Sequence, residues 1–421
     1  MSLKKNILWN LFGSITPMLV GIVAIPYIYN EIGIERIGIL TIIWSLIGYF
    51  SIFDFGLGRS ITQRIASLSS LHLKGQIIKV ATTGVFMTLA IRFFVGLVGL
   101  IANKITGVSW INSPDNLKQE IYLSFTLAWL TVPATTVTAG LRGILEGEQR
   151  FKEINLLKLA LGLSNFLSPI ASIIFFGPRL DYIVGSLTIT RYVILIAHYL
   201  IVRSKIENNM TKVDFEELKQ LFRFGGWMTL SNIISPLMVV ADRFLVAKIL
   251  GTAAVAFYTI PSEFMIKLLL LPAAITTTLF PTFSKNLAQK NHSSSFAVYK
   301  KSLKIIFLVM GSIALCIFIS ADLGLRLWLG AEFADKSAKV VTILAFGILF
   351  NSLAQVPYAY IQASGDARST ALIHLLELIL YIPTLFYLVQ MEGIAGAAFA
   401  WMLRALIDLV LLHFRVLRIN K

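Results

Sequence analysis

Apolar runs of bilayer length recur along this chain from Ile7 to Phe414, separated by short joints where lysine, arginine, aspartate and glycine collect. A helix needs about 20 mostly apolar residues to cross the hydrocarbon core of a membrane. The runs therefore predict twelve transmembrane helices, at about 7–29, 37–57, 78–101, 120–140, 154–176, 180–202, 224–247, 253–280, 303–321, 339–361, 369–390 and 393–415. The expected fold class is an all-α polytopic membrane protein. The first run, about 23 residues long, lacks a small-residue cleavage site, so it reads as a retained helix and not a signal peptide.

The longest polar stretches, near 203–223 and 283–304, are too short to bury a core of their own. The first of them divides the chain into an N-terminal six-helix lobe (1–202), a cytoplasmic amphipathic linker (203–223) and a C-terminal six-helix lobe (224–421). In the linker Asp214 is placed to cap a short helix with Glu217 three residues on. Phe215, Leu218 and Leu221/Phe222 share one face, which suits either the membrane interface or a plain connector. Sliding the chain by 218 residues lays Trp9 on Trp227, Gly33 on Gly251 and Thr41-Ile42 on Thr259-Ile260. Each half then holds six spans and starts on the same side. That arrangement gives two parallel repeats about a pseudo-twofold axis normal to the membrane, with a site between them.

Composition agrees with this picture: 57% of residues are hydrophobic and only 14% charged, too few charges to cover a soluble protein of this size. The net charge of +15 points to nucleic acid only if its distribution is ignored. Counted by joint, 24 lysines and arginines fall on one side of the twelve-span topology, 8 on the other and five within spans. Cationic joints stay in the cytoplasm, so both termini are expected there. Cys316 is the single cysteine, which excludes a disulfide framework and a thiolate metal centre. The five histidines are scattered, and the chain contains no HExxH, GxSxG or P-loop pattern. The expectation is a protein that is not an enzyme, with no cofactor and no metal.

Charges within spans are the candidate functional residues, because a charge near mid-bilayer costs on the order of 2.5–3.5 kcal/mol on insertion scales. Arg92 shares a helix face with Gly84, Thr88 and Gly96, and Arg191 with Thr188 and His198. Neither has an acid within one turn, so its partner is another helix or an anionic substrate. Glu263 and Lys267, and Arg404 and Asp408, stand at i,i+4 spacing and read as neutralising pairs or as pairs that substrate or a proton opens. Arg243, next to Asp242, either snorkels or faces a cavity. Glu377 follows His374 by one turn and is a candidate coupling carboxylate or the partner of an arginine. Asn351, Gln355, Tyr358 and Gln362 line one helix face, able to bind sugar hydroxyls or to bridge helices. Asn165, Ser168 and Ser172 read as helix packing.

One set of segments is more specific. Phe53-Asp54-Phe55-Gly56-Leu57-Gly58-Arg59 closes the second span, and Leu141-Arg142-Gly143-Ile144-Leu145-Glu146-Gly147 follows the fourth. Phe224-Gly225-Gly226-Trp227 opens the seventh, and Asp242-Arg243 lies near its end. In this order, over essentially the whole chain, the sequence resembles the Wzx-type polysaccharide flippases of the multidrug/oligosaccharidyl-lipid/polysaccharide (MOP) exporter superfamily. The resemblance implies passage of an undecaprenyl-pyrophosphate-linked oligosaccharide, such as an O-antigen unit, from the cytoplasmic to the periplasmic leaflet of the bacterial inner membrane. It also implies alternating access, drive from an ion gradient, and a polysaccharide polymerase and chain-length regulator as partners. Under it Arg92, Arg191, Arg243, Lys267 and Arg404 are the anion-binding candidates, with Asn351 and Gln355 for sugars. Asp54, Glu263, Glu377 and Asp408 are the ion-coupling candidates. A lipid II flippase, a drug/cation antiporter of the same superfamily and a membrane glycosyltransferase or polymerase are the rival readings. The last would need a larger polar loop than the chain has.

The charge bias carries a topology test. Reporter fusions at Lys118 and Lys336 are expected to read periplasmic and fusions at Lys74 and Lys290 cytoplasmic; a reversed reading at Lys290 would sink the topology of the second half.

Overall fold

Hydrocarbon offers a backbone no hydrogen-bond partner, so a spanning chain must satisfy its amides within helices or a closed barrel. This chain takes the helical solution. A computed structural model describes residues 3–49, 61–62, 64–65, 68, 74–107, 109–148, 150–203, 214–218, 238, 241–289 and 291–420, with the backbone alone at 3–15, 49, 74, 91–92, 151, 277–278, 281, 288 and 367. The helices are α1 (Leu3–Tyr49), α2 (Lys74–Thr106), α3 (Lys118–Gly147), α4 (Phe151–Phe176), α5 (Leu180–Arg203), α6 (Thr252–Lys267), α7 (Leu270–Ala288), α8 (His292–Leu329), α9 (Ala331–Ala363) and α10 (Ala367–Ile419). Residues 241–250 are also helical, and a 3₁₀ turn, Asp115–Leu117, leads into α3. Nine segments among the described residues are long and apolar enough to cross a membrane. The protein is a multi-pass membrane protein.

Two of these segments hold more than one expected span. α1 runs through the first and second, broken at Gly33 (φ 80°, ψ 168°), and α10 through the eleventh and twelfth, broken at Gly393 (φ 60°, ψ −137°). At the second break the chain folds back on itself. A side chain at Gly396 would bring its Cβ to 1.9 Å from the carbonyl oxygen of Leu388, an approach that a straight helix does not allow. Most of the expected seventh span and linker, and the motif 53–59, lie outside the described residues.

Four glycines at helix joints share one backbone conformation: Gly33, Gly177, Gly251 and Gly330. Gly33 and Gly251, paired by the 218-residue shift, hold nearly the same conformation, φ 80°, ψ 168° and φ 90°, ψ 176°. Thr41 and Thr259, also paired by the shift, are both buried, as are Ile42 and Ile260. This φ/ψ region is open essentially to glycine alone. Such a residue turns the chain between two helices in a single step, so the joints stay short.

The chain separates into two compact units, Met1–Pro236 and Leu237–Lys421. In the first, α1 packs on α4, and α3 on both α2 and α5. Small residues permit the close approaches: a Cβ at Gly162 would stand 2.5 Å from the Pro17 ring, and one at Gly99 would enter the ring of Trp129. Arg36, just past the Gly33 break, grips Glu120 with two hydrogen bonds of 2.8 Å, and Glu120 also accepts the backbone N–H of Leu180. One carboxylate thus ties α1 and the start of α5 to α3. Asp214 does cap the short helix at 215–218, accepting the amides of Glu216 and Glu217. The Glu217 side chain, expected to reach back to the cap, instead binds Arg64 at 2.7 and 3.1 Å, because an ion is a better partner than an amide. That hydrogen bond raises the Arg64 guanidinium above its ordinary pKa.

In the second unit α9 is central, packing on α6, α7, α8 and α10. Gly347 of α9 lets it press against Trp401 of α10, where a Cβ would come within 2.6 Å of the indole. At the chain's end Asp366 caps α10 through Ser369 and binds Arg415. Burial pushes its carboxyl up, but these hydrogen bonds outweigh burial and hold it below the usual range.

Gly33→Ala and Gly251→Ala are each expected to cost about 1–3 kcal/mol, the strain of a side chain at such a backbone. Thermal unfolding of the purified protein reads this as a lower midpoint for both. Unchanged midpoints at both positions would remove the argument that these joints require glycine.

Candidate functional site

The second unit gathers its embedded charges in one place. The first arm of α10 carries His374, Glu377 and Tyr381, and the arm after the Gly393 fold carries Trp401, Arg404 and Asp408. Both sets follow i, i+3, i+7 spacing, which puts each on one helix face. The hairpin turns the two faces toward each other. Arg404 Nη1 lies 3.8 Å from Glu377 Oε2, and His374 Nε2 lies 3.8 Å from Asp408 Oδ1. The guanidinium of Arg404 stands 5.9 Å from the Tyr381 ring and 5.8 Å from that of Trp401. Tyr358 of α9 stacks on His374, ring centroids 5.7 Å apart, and fixes the imidazole plane.

These groups are buried: Glu377 is 2% exposed and Asp408 8%. Both Glu377 oxygens, Asp408 Oδ1, Tyr381 Oη and Arg404 Nε have no hydrogen-bond partner among the described residues. Buried polar atoms are almost always satisfied by protein or by ordered water. A half-open cleft lies beside them, lined by Glu377, Tyr381, Thr384 and Arg404. About 20 Å³ of it is open to the centre of a water-sized sphere, more than the roughly 10–15 Å³ one water requires. The arrangement can hold water, a proton or a small cation against two carboxylates.

A second group lies on the helical residues 241–250 and α6. Arg243 Nη2 donates to Glu263 Oε1 at 2.6 Å. Asp242 accepts the backbone N–H of Arg243 at 2.7 Å and the hydroxyl of Tyr258 at 2.5 Å. Asp242 and Arg243 therefore point to different partners, as their adjacency requires.

Both i,i+4 pairings expected within single helices are replaced by contacts between helices. Glu263 takes its ion pair from Arg243, and Lys267 sits half-exposed at the end of α6. Arg404 turns to Glu377, leaving Asp408 to His374. An i,i+4 pair on a lone helix is worth only about 0.2–0.5 kcal/mol. A neighbouring helix with a buried partner easily overrides it. His374, Glu377 and Asp408 also offer ligand atoms that all lie within 4.8 Å of one another.

In the first unit Arg191 is buried, 6% exposed. Its Nη2 donates to Asn165 Oδ1 at 2.8 Å and its Nη1 to the carbonyl of Leu187 at 3.1 Å. No carboxylate lies within 4.0 Å of it among the described residues. The partner that another helix supplies is a neutral amide, and Asn165, read as packing, is the residue that holds it. Thr188, on the face of Arg191, hydrogen-bonds Thr131 at 2.9 Å. His198, on the same face, is bonded to its own helix at Ile194 and is structural. The side chain of Arg92 and all of Asp54 lie outside the described residues. Asn351 and Gln355 are half-exposed on the α9 face that leads to Tyr358.

Breaking a buried ion pair by removing one partner costs about 3–5 kcal/mol, whereas an apolar pair of similar volume in its place is often neutral. Glu377→Leu and Arg404→Met alone are therefore expected to lower the unfolding midpoint and the folded yield, and the double variant to recover both. Additive losses in the double variant would mean that the two side chains act separately.

The polysaccharide biosynthesis protein family matches residues 3–287, and the MatE family matches residues 228–387. A putative O-antigen transporter of Shigella flexneri is 34% identical over 98% of this chain and 97% of its own. The lipopolysaccharide biosynthesis protein WzxC of Escherichia coli strain K12 is 21% identical over 99% of this chain and 82% of its own. Among solved structures, a multidrug resistance MATE family transporter of the MOP superfamily aligns with a TM-score of 0.83 at 13% identity, covering 99% of both chains, a likeness of fold.

Proposed function

The chain belongs to the polysaccharide biosynthesis protein family, in the Wzx-type branch of the MOP superfamily, and from this premise we propose that it flips an undecaprenyl-pyrophosphate-linked oligosaccharide across the bacterial inner membrane. The cargo moves from the cytoplasmic to the periplasmic leaflet by alternating access, and both termini stay in the cytoplasm. The expected division into lobes 1–202 and 224–421, joined by 203–223, belongs to this reading. The chain carries its cargo without chemical change and is not an enzyme. A polymerase and a chain-length regulator act on the delivered unit. The full-length likeness to a protein named as an O-antigen transporter supports the substrate class.

The physics of that cargo asks for a particular residue. A pyrophosphate and its sugars cannot enter hydrocarbon unaided, because desolvating charge and hydroxyls costs too much. Arg191 is the observation that carries the reading: a buried guanidinium held, among the described residues, only by neutral oxygens has charge left for an anion. Arg243 and Arg404 face carboxylates and are assigned to internal charge pairs, available to substrate only when those pairs open. Arg92, Lys267, Asn351 and Gln355 remain assigned to the cargo. Glu377 and Asp408, with Asp54 and Glu263, are assigned to ion coupling. Drug/cation antiport is the second reading, favoured by the MatE match and by the acids of the second unit. Lipid II stays a rival cargo of the same chemistry.

The test is complementation. In a strain lacking the gene, the lipid-linked glycan is expected to accumulate on the cytoplasmic face, and its sugars identify the cargo. Wild type, Arg191→Lys, then Arg191→Gln and Arg191→Ala are expected to restore surface polysaccharide in that order at equal membrane abundance. A lysine keeps the charge but not the planar fork that grips two phosphate oxygens. A charged hydrogen bond is worth about 1.5–3 kcal/mol, so the neutral variants are expected to lose roughly tenfold or more in transport. Full restoration by Arg191→Ala removes this residue from the site.

A further inference from the structure

We propose that His374, Glu377 and Asp408 form a binding site for one divalent transition-metal ion of the zinc, cobalt or manganese type. One imidazole nitrogen and two carboxylate oxygens converge from the two arms of α10, all within 4.8 Å. Zinc holds such ligands at about 2.0–2.1 Å, which places ligand atoms about 3.3 Å apart. His374 Nε2 and Asp408 Oδ1 already stand at 3.8 Å.

Unpartnered atoms point the same way independently. Neither oxygen of Glu377, a residue 2% exposed, meets a hydrogen-bond donor among the described residues, and Asp408 Oδ1 likewise meets none. Glu377 lines the cleft that admits water, so the group is approached from the Glu377 side. Tyr358 stacks on the imidazole from α9 and limits the orientations of its ring. The ionic groups facing the site also favour a dication. Two carboxyl groups, Glu377 and Asp408, face one guanidinium, that of Arg404, and a metal ion takes a carboxyl as its carboxylate, releasing any proton it holds. Imidazole then selects the kind of ion: nitrogen suits zinc and its neighbours, whereas sodium, magnesium and calcium prefer oxygen alone.

Bound metal would tie the two arms of the hairpin together across the Gly393 fold. It would also occupy carboxylates assigned above to ion coupling, so the ion is expected to act as an inhibitor of whatever movement separates the arms. The site stands apart from the nature of the cargo, and its test reads metal and not transport.

The experiment uses the full-length protein, purified in detergent, stripped with chelator and titrated with ZnCl₂ by calorimetry in excess NaCl. One zinc per chain is expected, with a rise in the thermal midpoint. His374→Ala, Glu377→Gln and Asp408→Asn are each expected to weaken binding by roughly tenfold or more, the scale at which even outer partners matter. His292→Ala, at an exposed histidine, is expected to bind as wild type does. A wild-type measurement covers the case of variants that fail to fold: CoCl₂ is expected to give the intense visible absorption of a low-coordinate cobalt site. Undiminished zinc binding in folded His374→Ala, displacement of zinc by sodium at comparable concentration, or only the pale spectrum of aqueous cobalt would each overturn the proposal.

Discussion

Charge in a medium that neither hydrates nor screens it is the constraint on which this structure turns. An exposed ion pair in water is worth about a kilocalorie per mole or less. In hydrocarbon the same ions must find each other, because the cost of standing alone is several times larger. Arg404 and Glu377 meet across the α10 hairpin under this requirement, and so do Arg243 and Glu263. The contacts set where the helices touch. The hairpin at Gly393, the bare face of Gly347 against Trp401 and the Tyr358–His374 stack all serve to bring those charges into register.

The spans were the most legible feature, because bilayer thickness writes itself directly into the length of an apolar run. The joints at Gly33 and Gly251 were legible as glycines, because the backbone there admits one residue type. The partners of the embedded charges were not legible. Sequence spacing sees a single helix, so it offered Lys267 to Glu263 and Asp408 to Arg404. The structure pairs across helices, over separations that periodicity does not encode. A signal was present all the same: 374, 377, 381 and 401, 404, 408 repeat one spacing on either side of Gly393. Read as two faces of a hairpin, they place His374 beside Asp408. Asn165 had no such signal, since an amide among serines in a span looks like packing until a guanidinium is found against it.

The two halves differ in chemistry more than in architecture. Each contains a glycine joint of the same conformation, but they spend their embedded charge differently. In the first unit Arg191 is answered, among the described residues, by an amide and a carbonyl, neither of which offsets its positive charge. In the second, every described embedded arginine faces a carboxylate, and acids remain in excess. The bilayer constrains the backbone of both units alike; nothing in it requires the same charge in each. Cargo and driving ion carry opposite charge in the reading proposed here, and one cluster of side chains cannot attract both. Dividing the cation-rich and the acid-rich chemistry between the two units resolves that conflict. An anionic head group then has a positive group to receive it, and a small cation has Glu377 and Asp408, whose oxygens include three that no described donor hydrogen-bonds.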